Sequence, residues 1–212
     1  MVLGIAIHYY NNSKEAEEAF KELMSIDIVN QITDNILVYI YEDGQISGWL
    51  NKYKSIPNIV IESCDINKGI SYARNKCLEY LKDKVDYILF IDSDDIISSN
   101  YLEEMYTLCS LNKYDIVEST FTRHGVIHEY RDDEVRTCVA GSAFRSSMLK
   151  DLRFDEHLQV GEDTKFFKEL VDLKKHKKVY CKNAIYYYNY GVNPNSLIMR
   201  FNRKEIEKYR KW

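Results

Sequence analysis

Three aspartates stand directly after an unbroken apolar run at positions 87–91 of this 212-residue chain. They are Asp92, Asp94 and Asp95, with only Ser93 between them. Clustered carboxylates repel one another unless a cation lies among them. Carboxylate oxygens are the ligands that Mg²⁺ and Mn²⁺ prefer, and these ions often complete their coordination with substrate phosphates. The cluster therefore predicts a Mg²⁺ or Mn²⁺ site in an enzyme that acts on a phosphorylated substrate.

The same residues also fit a purely structural interpretation. Asp and Ser after a strand often form a turn or cap a helix, and polar residues 98–100 precede a helical pattern. Alternate side chains of an extended segment share a face, which would pair Asp92 with Asp94. A turn after the strand could instead present Asp95. Either Asp94 or Asp95 could therefore be the direct metal ligand.

The elements that would position this cluster indicate an α/β protein. Short apolar runs predict buried strands at residues 2–7, 36–41, 58–61, 87–91 and 115–117. Apolar residues at helical spacing predict helices at 46–53, 70–81 and 101–111, and another after Asn12. Asn12 and Glu15 resemble a capping box at the start of that helix. Strands alternating with helices indicate a doubly wound, mostly parallel sheet, in which ligands bind at the carboxyl ends of the strands.

The alternation of strands and helices stops after residue 117. Strands or loops are predicted at 121–130 and 135–144, a helix at 166–173 and one or two strands at 179–190. The chain contains no glycine-rich dinucleotide motif and no P-loop.

Composition excludes several classes of protein. Hydrophobic residues make up 45% of the chain, enough for the core of one domain, and the net charge of −4 argues against nucleic-acid binding. The five cysteines are widely spaced and include no C-x-x-C pair, so we expect no disulfide framework or zinc site, and a reducing, cytoplasmic location. No signal peptide or membrane-spanning stretch is predicted.

The last residues have a different charge from the rest. Residues 200–212 carry six basic and two acidic side chains, interleaved with aromatic residues. We expect this tail to be helical, either packed on the domain or in peripheral contact with an anionic membrane at its inner face.

Four further polar segments accompany the aspartate cluster in a fixed order. They are residues 8–11 (His-Tyr-Tyr-Asn), 42–44 (Glu-Asp-Gly), 67–75 (Asn-Lys-Gly-Ile-Ser-Tyr-Ala-Arg-Asn) and 154–163, which ends in Gly-Glu-Asp. Together with the aspartates, this series resembles the family 2 glycosyltransferases across residues 2–196. The resemblance implies the GT-A fold, an α/β fold with a Rossmann-like, mostly parallel central sheet flanked by helices and a smaller acceptor-side sheet. The resemblance further implies a domain that spans residues 1–199. Its nucleotide-binding half would be 1–118 and its acceptor-side half 119–199.

The resemblance also implies roles for individual residues. The positions that match the family's nucleotide-binding residues are His8, Tyr10, Asp43, Asn67, Gly69, Arg74, Asp92 and Asp94. Asp94 and Asp95 match its metal-binding motif. Asp43 would read the nucleobase, although Glu42 and Gln45 depart from the family's Asp-Asp-Gly-Ser turn. An ordinary tight turn is the alternative interpretation of that segment.

The catalytic base is expected in the pair Glu162 and Asp163. The family generally carries the base at the position of Asp163, but the sequence alone leaves both carboxylates open. Acidic residues at the start of a helix are also common caps that the helix dipole stabilises. Residues 141–145 resemble the segment that borders the donor sugar, and residues 186–188 resemble a closing Tyr-rich strand.

These matches imply an inverting glycosyltransferase that uses Mn²⁺ or Mg²⁺. It would move a hexose or N-acetylhexosamine from a nucleotide sugar, expected to be UDP-linked, to a hydroxyl of a glycan or lipid-linked acceptor in surface polysaccharide synthesis. One alternative is a nucleotidyltransferase, which is disfavoured because no glycine-rich basic loop follows the first predicted strand, at residues 2–7. The other alternative is a catalytically incomplete sugar-nucleotide-binding module or truncated domain.

Overall fold

The structure, a computed structural model, describes residues 1–10, 13–44, 46–123, 126–128, 138–158, 160–170 and 175–188. Within these ranges the strands form one sheet. They lie side by side in the order Ile59–Cys64, Ile36–Asp43, Leu3–Tyr9, Tyr87–Asp92, Ser142–Arg145, Ile116–Arg123, Lys178–Tyr188 and Ile96–Ile97, and Val126–His128 pairs with Ile116–Arg123. No helix in the described part of the chain is both long enough and apolar enough to cross a membrane. The basic tail at 200–212 lies outside the described residues, so its predicted helix and membrane contact stay predictions.

The first half of the sheet is parallel, as predicted. Its strands are β1 (Leu3–Tyr9), β2 (Ile36–Asp43), β3 (Ile59–Cys64) and β4 (Tyr87–Asp92). The helices between and after them are α1 (Lys14–Glu22), α2 (Ile70–Leu81) and α3 (Tyr101–Ser110). A π-helical segment, Leu23–Ile28, and 3₁₀ turns at Val29–Gln31 and Gly48–Tyr53 complete this half.

The second half continues the same sheet. Its elements are β5 (Ile96–Ile97), β6 (Ile116–Arg123), β7 (Val126–His128), β8 (Ser142–Arg145), α4 (Glu162–Leu170) and β9 (Lys178–Tyr188). Strand β8 runs antiparallel between β4 and β6, and β6 pairs in parallel with β9. The chain position proposed as the boundary between the two halves, 118/119, lies inside β6.

A hydrophobic core lies on each face of the sheet, because alternate residues of each strand point to opposite faces. On one face, Ile5 and Ile7 of β1 pack with Phe20 of α1 and Met105 of α3. On the other, residues of β4 such as Phe90 pack with α2 and α4. Helices α2 and α4 therefore lie on the same face of the sheet, which brings the 67–75 segment close to Glu162 and Asp163.

Several predicted element boundaries were wrong. The N-cap of α1 is Ser13, whose hydroxyl accepts a hydrogen bond from Ala16 N at 3.1 Å, rather than Asn12. Strand β2 extends through Glu42 and Asp43, because Glu42 is buried and its carboxylate accepts hydrogen bonds from within the fold. Helix α4 begins at Glu162, so the acidic pair forms its first turn.

Candidate active site

Asp43, at the end of β2, holds the loop that leads into α2. Its carboxylate accepts hydrogen bonds from Lys68 N at 2.9 Å and from Gly69 N at 2.8 Å. Burial raises the pKa of Asp43, and these two backbone donors oppose that shift. The side chain is 3% exposed, so its first role is to fix the start of α2. Its predicted contact with a nucleobase stays a prediction.

Two glycines shape the same loops by different means. Gly44 has φ +86°, and a Cβ there would lie 2.6 Å from Cβ of Asn67, so only glycine allows the loops after β2 and β3 to pack together. Gly69, the N-cap of α2, has φ +96°, while a Cβ there would have no neighbour within 4 Å among the described residues. Gly69 is therefore required for its backbone conformation, and it leaves the helix N-terminus open to an anionic ligand.

Arg74 is the central residue of the site. It lies one turn into α2 and is 2% exposed, so it is not the surface arginine that a simple turn-to-helix junction would carry. Its Nη1 lies 2.6 Å from Oε1 of Glu162, and its Nη2 lies 3.1 Å from Oδ1 of Asp92. Burial disfavours the charged form of Arg74, but Asp92 and Glu162 raise its pKa. The guanidinium therefore stays charged and joins the end of β4 to the start of α4.

Glu162 and Asp163 lie beside this guanidinium. Burial, together with the charge of Asp163, raises the pKa of Glu162 to about 7, although Arg74 opposes the shift. Burial also raises the pKa of Asp163. Its Oδ1 accepts a hydrogen bond from Thr164 N at 2.7 Å, which together with Arg74 and the Cys138 thiol opposes the rise in its pKa. Among the described residues, Arg74 is the cation that lies beside Asp92, Glu162 and Asp163. Their three carboxylates outnumber it, and this excess of negative charge adds to burial in favouring the protonated forms of Glu162 and Asp163.

His8 completes the cluster from β1. Its Nδ1 lies 3.8 Å from Oδ1 of Asp92. Burial, followed by the charge of Arg74, lowers the pKa of His8 to about 4. A neutral imidazole therefore faces the carboxyl ends of β1 and β4. Tyr10, two residues further along, is 40% exposed.

The aspartate cluster after β4 is ordered by a tyrosine of β9. Asp92 N donates a hydrogen bond to the hydroxyl of Tyr186 at 2.9 Å, and the neighbouring Asp95 carboxylate adds to burial in raising the pKa of Tyr186. Asp95 N donates to Asp92 O at 3.2 Å, which closes a turn. Asp95 is 2% exposed, whereas Asp94 is partly exposed.

The donor set fits a metal that binds together with a substrate. Among the described residues, no group of three or more His, Cys, Asp and Glu side chains is placed to hold an ion without help. Mg²⁺ typically needs only one or two carboxylates when substrate phosphates and water supply the other oxygens. Asp94 and Asp95 can provide such carboxylates next to the predicted nucleotide-binding residues.

Several residues of the site were not singled out from the sequence. Tyr186 and Tyr188 share one face of β9, and burial followed by the charge of Asp95 raises the pKa of each. The sequence feature that could have identified them is the placement of two tyrosines at alternate positions of a Tyr-rich strand. Arg145, in the segment expected to border the donor sugar, binds Asp115 at 2.9 Å and Tyr114 O at 2.7 Å, which ties β8 to the start of β6.

Comparison with known proteins identifies the family of this chain. Residues 5–157 match the family model described as Glycosyl transferase family 2. The chain is 25% identical over 229 residues to the minor teichoic acid biosynthesis protein GgaA of Bacillus subtilis, covering 96% of this chain and 51% of that protein. It is 27% identical over 206 residues to the poly(ribitol-phosphate) beta-glucosyltransferase of Bacillus spizizenii, covering 89% of this chain and 32% of that protein.

Solved structures share the fold at low sequence identity. TarS 1-349 of S. aureus in complex with UDP-GlcNAc matches with a TM-score of 0.76 and 16% identity, covering 99% of this chain and 64% of that chain. The mannosyltransferase PcManGT of Pyrobaculum calidifontis, in complex with GDP-Man and Mn²⁺, matches with a TM-score of 0.61 and 13% identity, covering 90% of this chain and 58% of that chain. These similarities confirm the predicted GT-A fold. This chain spans about half or less of the length of the curated relatives named above.

Proposed function

This chain belongs to glycosyl transferase family 2, and we propose that it transfers a sugar from a nucleotide sugar to an acceptor hydroxyl. The observation that carries the proposal is the Arg74 bridge. One buried guanidinium joins Asp92, at the predicted nucleotide site, to Glu162, next to the predicted base. Transfer requires that donor and base be held in a fixed relation, and this bridge supplies one.

A UDP-linked hexose or N-acetylhexosamine is the proposed donor. TarS, a structure of the same fold, is solved in complex with UDP and with UDP-GlcNAc. The proposed acceptor is a hydroxyl of a surface polymer of the teichoic acid type, because relatives are described as teichoic acid biosynthesis proteins and as a poly(ribitol-phosphate) beta-glucosyltransferase.

Asp163 is the proposed base, in preference to Glu162. Glu162 is buried, and its carboxylate is already bound to Arg74 at 2.6 Å. Asp163 is less buried than Glu162, so an acceptor hydroxyl can approach its carboxylate. The acceptor hydroxyl gives its proton to Asp163 while its oxygen attacks the anomeric carbon. The bond from that carbon to the diphosphate oxygen breaks in the same step, which inverts the anomeric configuration.

The remaining residues bind and orient the donor. The N-terminus of α2, opened by Gly69 and fixed by Asp43, offers backbone N–H groups to the diphosphate. His8 and Tyr10 would line the nucleoside pocket, with Asn67 on the neighbouring exposed loop. Mn²⁺ or Mg²⁺, held by Asp94 and Asp95, would supply positive charge at the departing diphosphate.

The first experiment asks which nucleotide binds. A thermal-shift screen of UDP, UDP-glucose, UDP-GlcNAc and GDP-mannose, with and without Mn²⁺, should give the largest rise in Tm for a UDP-linked compound, because a ligand of the folded state stabilises it by mass action. UDP release with a poly(ribitol phosphate) acceptor, followed by NMR of the product anomer, then tests transfer and inversion.

The alternative function is a catalytically incomplete sugar-nucleotide-binding module. Binding of a UDP-sugar without UDP release above the rate of spontaneous hydrolysis, for every acceptor tried, would favour that module over the transferase.

A further inference from the structure

Asn75, next to Arg74 on α2, forms a two-point hydrogen bond with a single backbone residue. Its Nδ2 donates to Phe154 O at 3.0 Å, and its Oδ1 accepts from Phe154 N at 2.8 Å. The side chain therefore pairs with Phe154 much as a neighbouring strand would. Asn75 is 5% exposed, and 79 positions separate it from Phe154 in the chain.

A third hydrogen bond uses the other amide hydrogen. Asn75 Nδ2 also donates to Oε1 of Glu156 at 2.8 Å. A primary amide offers two donor hydrogens and one acceptor oxygen, and here all of them are used. Neither a carboxylate nor an apolar side chain of the same size can reproduce this set of bonds.

The segment that Asn75 holds is fastened to helix α4 at two points. The ring of Phe154 stacks on Phe166, with 4.0 Å between centroids and 6° between planes. Asp155 Oδ2 lies 2.7 Å from Lys165 Nζ. Phe166 comes one turn after Asp163 on α4. A shift of segment 154–156 would therefore move the first turn of α4 with it.

We propose that Asn75 is a positioning residue for sugar transfer, which places the Asp163 carboxylate through segment 154–156 and Phe166. The inference rests on the proposed role of Asp163 as the base. Arg74 fixes Glu162 by charge, while Asn75 fixes the preceding segment by hydrogen bonds. The two adjacent residues thus align α4 with α2, and so with the donor site.

This role predicts a selective effect on turnover. A base displaced by about 1 Å can cost roughly 100-fold in rate, whereas donor contacts made by other elements are retained. We expect Asn75→Leu to lower kcat by about 10- to 100-fold and to change the donor KM by less than about threefold, in UDP release from UDP-GlcNAc. Asn75→Leu in an Asp163→Asn background should produce no further loss, since both changes act on one group.

Gln31 supplies a matched control. Its amide also makes long-range bonds, donating to Ser98 O at 3.1 Å and accepting from Leu102 N at 2.8 Å, on the opposite face of the sheet. Gln31→Leu should lower Tm about as much as Asn75→Leu does, yet retain kcat. Equal loss of kcat in both variants would show that general destabilisation explains the effect and would overturn the proposal.

A charge swap tests the hydrogen bonds themselves. Asn75→Asp keeps the acceptor for Phe154 N but sets a carboxylate against Glu156. Adding Glu156→Gln supplies a donor amide to that carboxylate, so the double variant should recover part of the kcat lost by Asn75→Asp alone. No recovery would count against the proposal. If Asn75→Leu does not fold, Phe166→Leu, which removes the ring stack, should lower kcat with the donor KM retained.

The outcomes separate this inference from the proposed function. Full turnover in Asp163→Asn would show that Asp163 is not the base, and the role proposed for Asn75 would then be rejected as well. An inactive Asp163→Asn together with a fully active Asn75→Leu would leave the base in place and reject only the Asn75 role. Losses that multiply in the double variant would reject it as well.

Discussion

Arg74 Nη1 and Glu162 Oε1 lie 2.6 Å apart, and this contact joins α2 to the first residue of α4 across 88 positions of sequence. The side chains are 3% and 9% exposed, so the ion pair is almost wholly removed from water. Buried ions are tolerated when each has a partner of opposite charge, and removal of one partner leaves the other uncompensated. The Arg74–Glu162 pair therefore matters to stability as well as to alignment of the site.

Replacement of Arg74 should strongly destabilise the fold. Arg74→Met leaves Asp92 and Glu162 without their shared cation, and we expect a loss of about 3–5 kcal/mol in the free energy of unfolding. Urea unfolding at neutral pH measures it. Lys14→Met is the control, because the Lys14–Glu18 pair is 85% and 64% exposed and should matter little. Equal stability of Arg74→Met and the unmodified protein would contradict the buried bridge.

Glu162 should make the protein less stable as pH rises. Its pKa is about 7 in the folded protein against an ordinary value of 4.5, because of burial and the charge of Asp163. Between these values the folded state binds more protons than the unfolded state, so the free energy of unfolding decreases with rising pH. Glu162→Gln should remove that decrease between pH 4.5 and 7. Urea unfolding across this window tests it, and an unchanged slope would contradict it.

His8 should have the opposite effect and make the protein less stable as pH falls. Burial, followed by the charge of Arg74, lowers its pKa from 6.5 to about 4. The unfolded state binds more protons between these values, so stability falls as pH falls from 6.5 toward 4. At about 1.4 kcal/mol per pKa unit, the full difference is about 3 kcal/mol. His8→Gln should remove this loss, measured by the same urea series, whereas His157→Gln, at an exposed position, should keep it.

Much of the fold could be predicted from periodicity and order of motifs. Helix α2 begins and ends where apolar spacing placed it, at Ile70 and Leu81, because its buried face packs against the sheet at every turn. The extent of β6 could not be predicted. Its polar residues 118–120 are buried by pairing with β8 and β9, and such long-range pairing leaves no local pattern.

The candidate site was predicted by residue type but not by contact. Motif order identified Arg74 and Glu162, yet the ion pair between them depends on how α2 and α4 pack on one face of the sheet. Asn75 and Tyr186 were not predicted as site residues, because their importance lies in partners more than 70 positions away. Local spacing carries no information about such partners.

Asp43 should affect stability and nucleotide binding together. Asp43→Ala removes the acceptor of two backbone donors at the start of α2, which are then left without a partner in a half-buried loop. We expect a lower Tm and weaker binding of UDP in a calorimetric titration. Asp65→Ala changes an exposed acid on the same loop and should alter neither quantity. Weaker binding with an unchanged Tm would mean that Asp43 acts on the nucleotide and not on the loop.

Divalent metal should strengthen nucleotide binding through Asp94 and Asp95. Carboxylates facing a diphosphate repel it unless a cation lies between them, so UDP should bind more tightly in Mn²⁺ than in chelator. Asp94 is partly exposed, so Asp94→Asn should abolish this difference with little change in Tm. Asp95 is buried against Tyr186, so Asp95→Asn should lower both the Mn²⁺ effect and Tm. Tyr186→Phe separates the two roles, since it removes the hydroxyl that accepts a hydrogen bond from Asp92 N and neighbours Asp95, and keeps both carboxylates. This variant should have a lower Tm but should still bind UDP more tightly in Mn²⁺ than in chelator. Equal UDP affinity of the unmodified protein in Mn²⁺ and in chelator would reject the metal site.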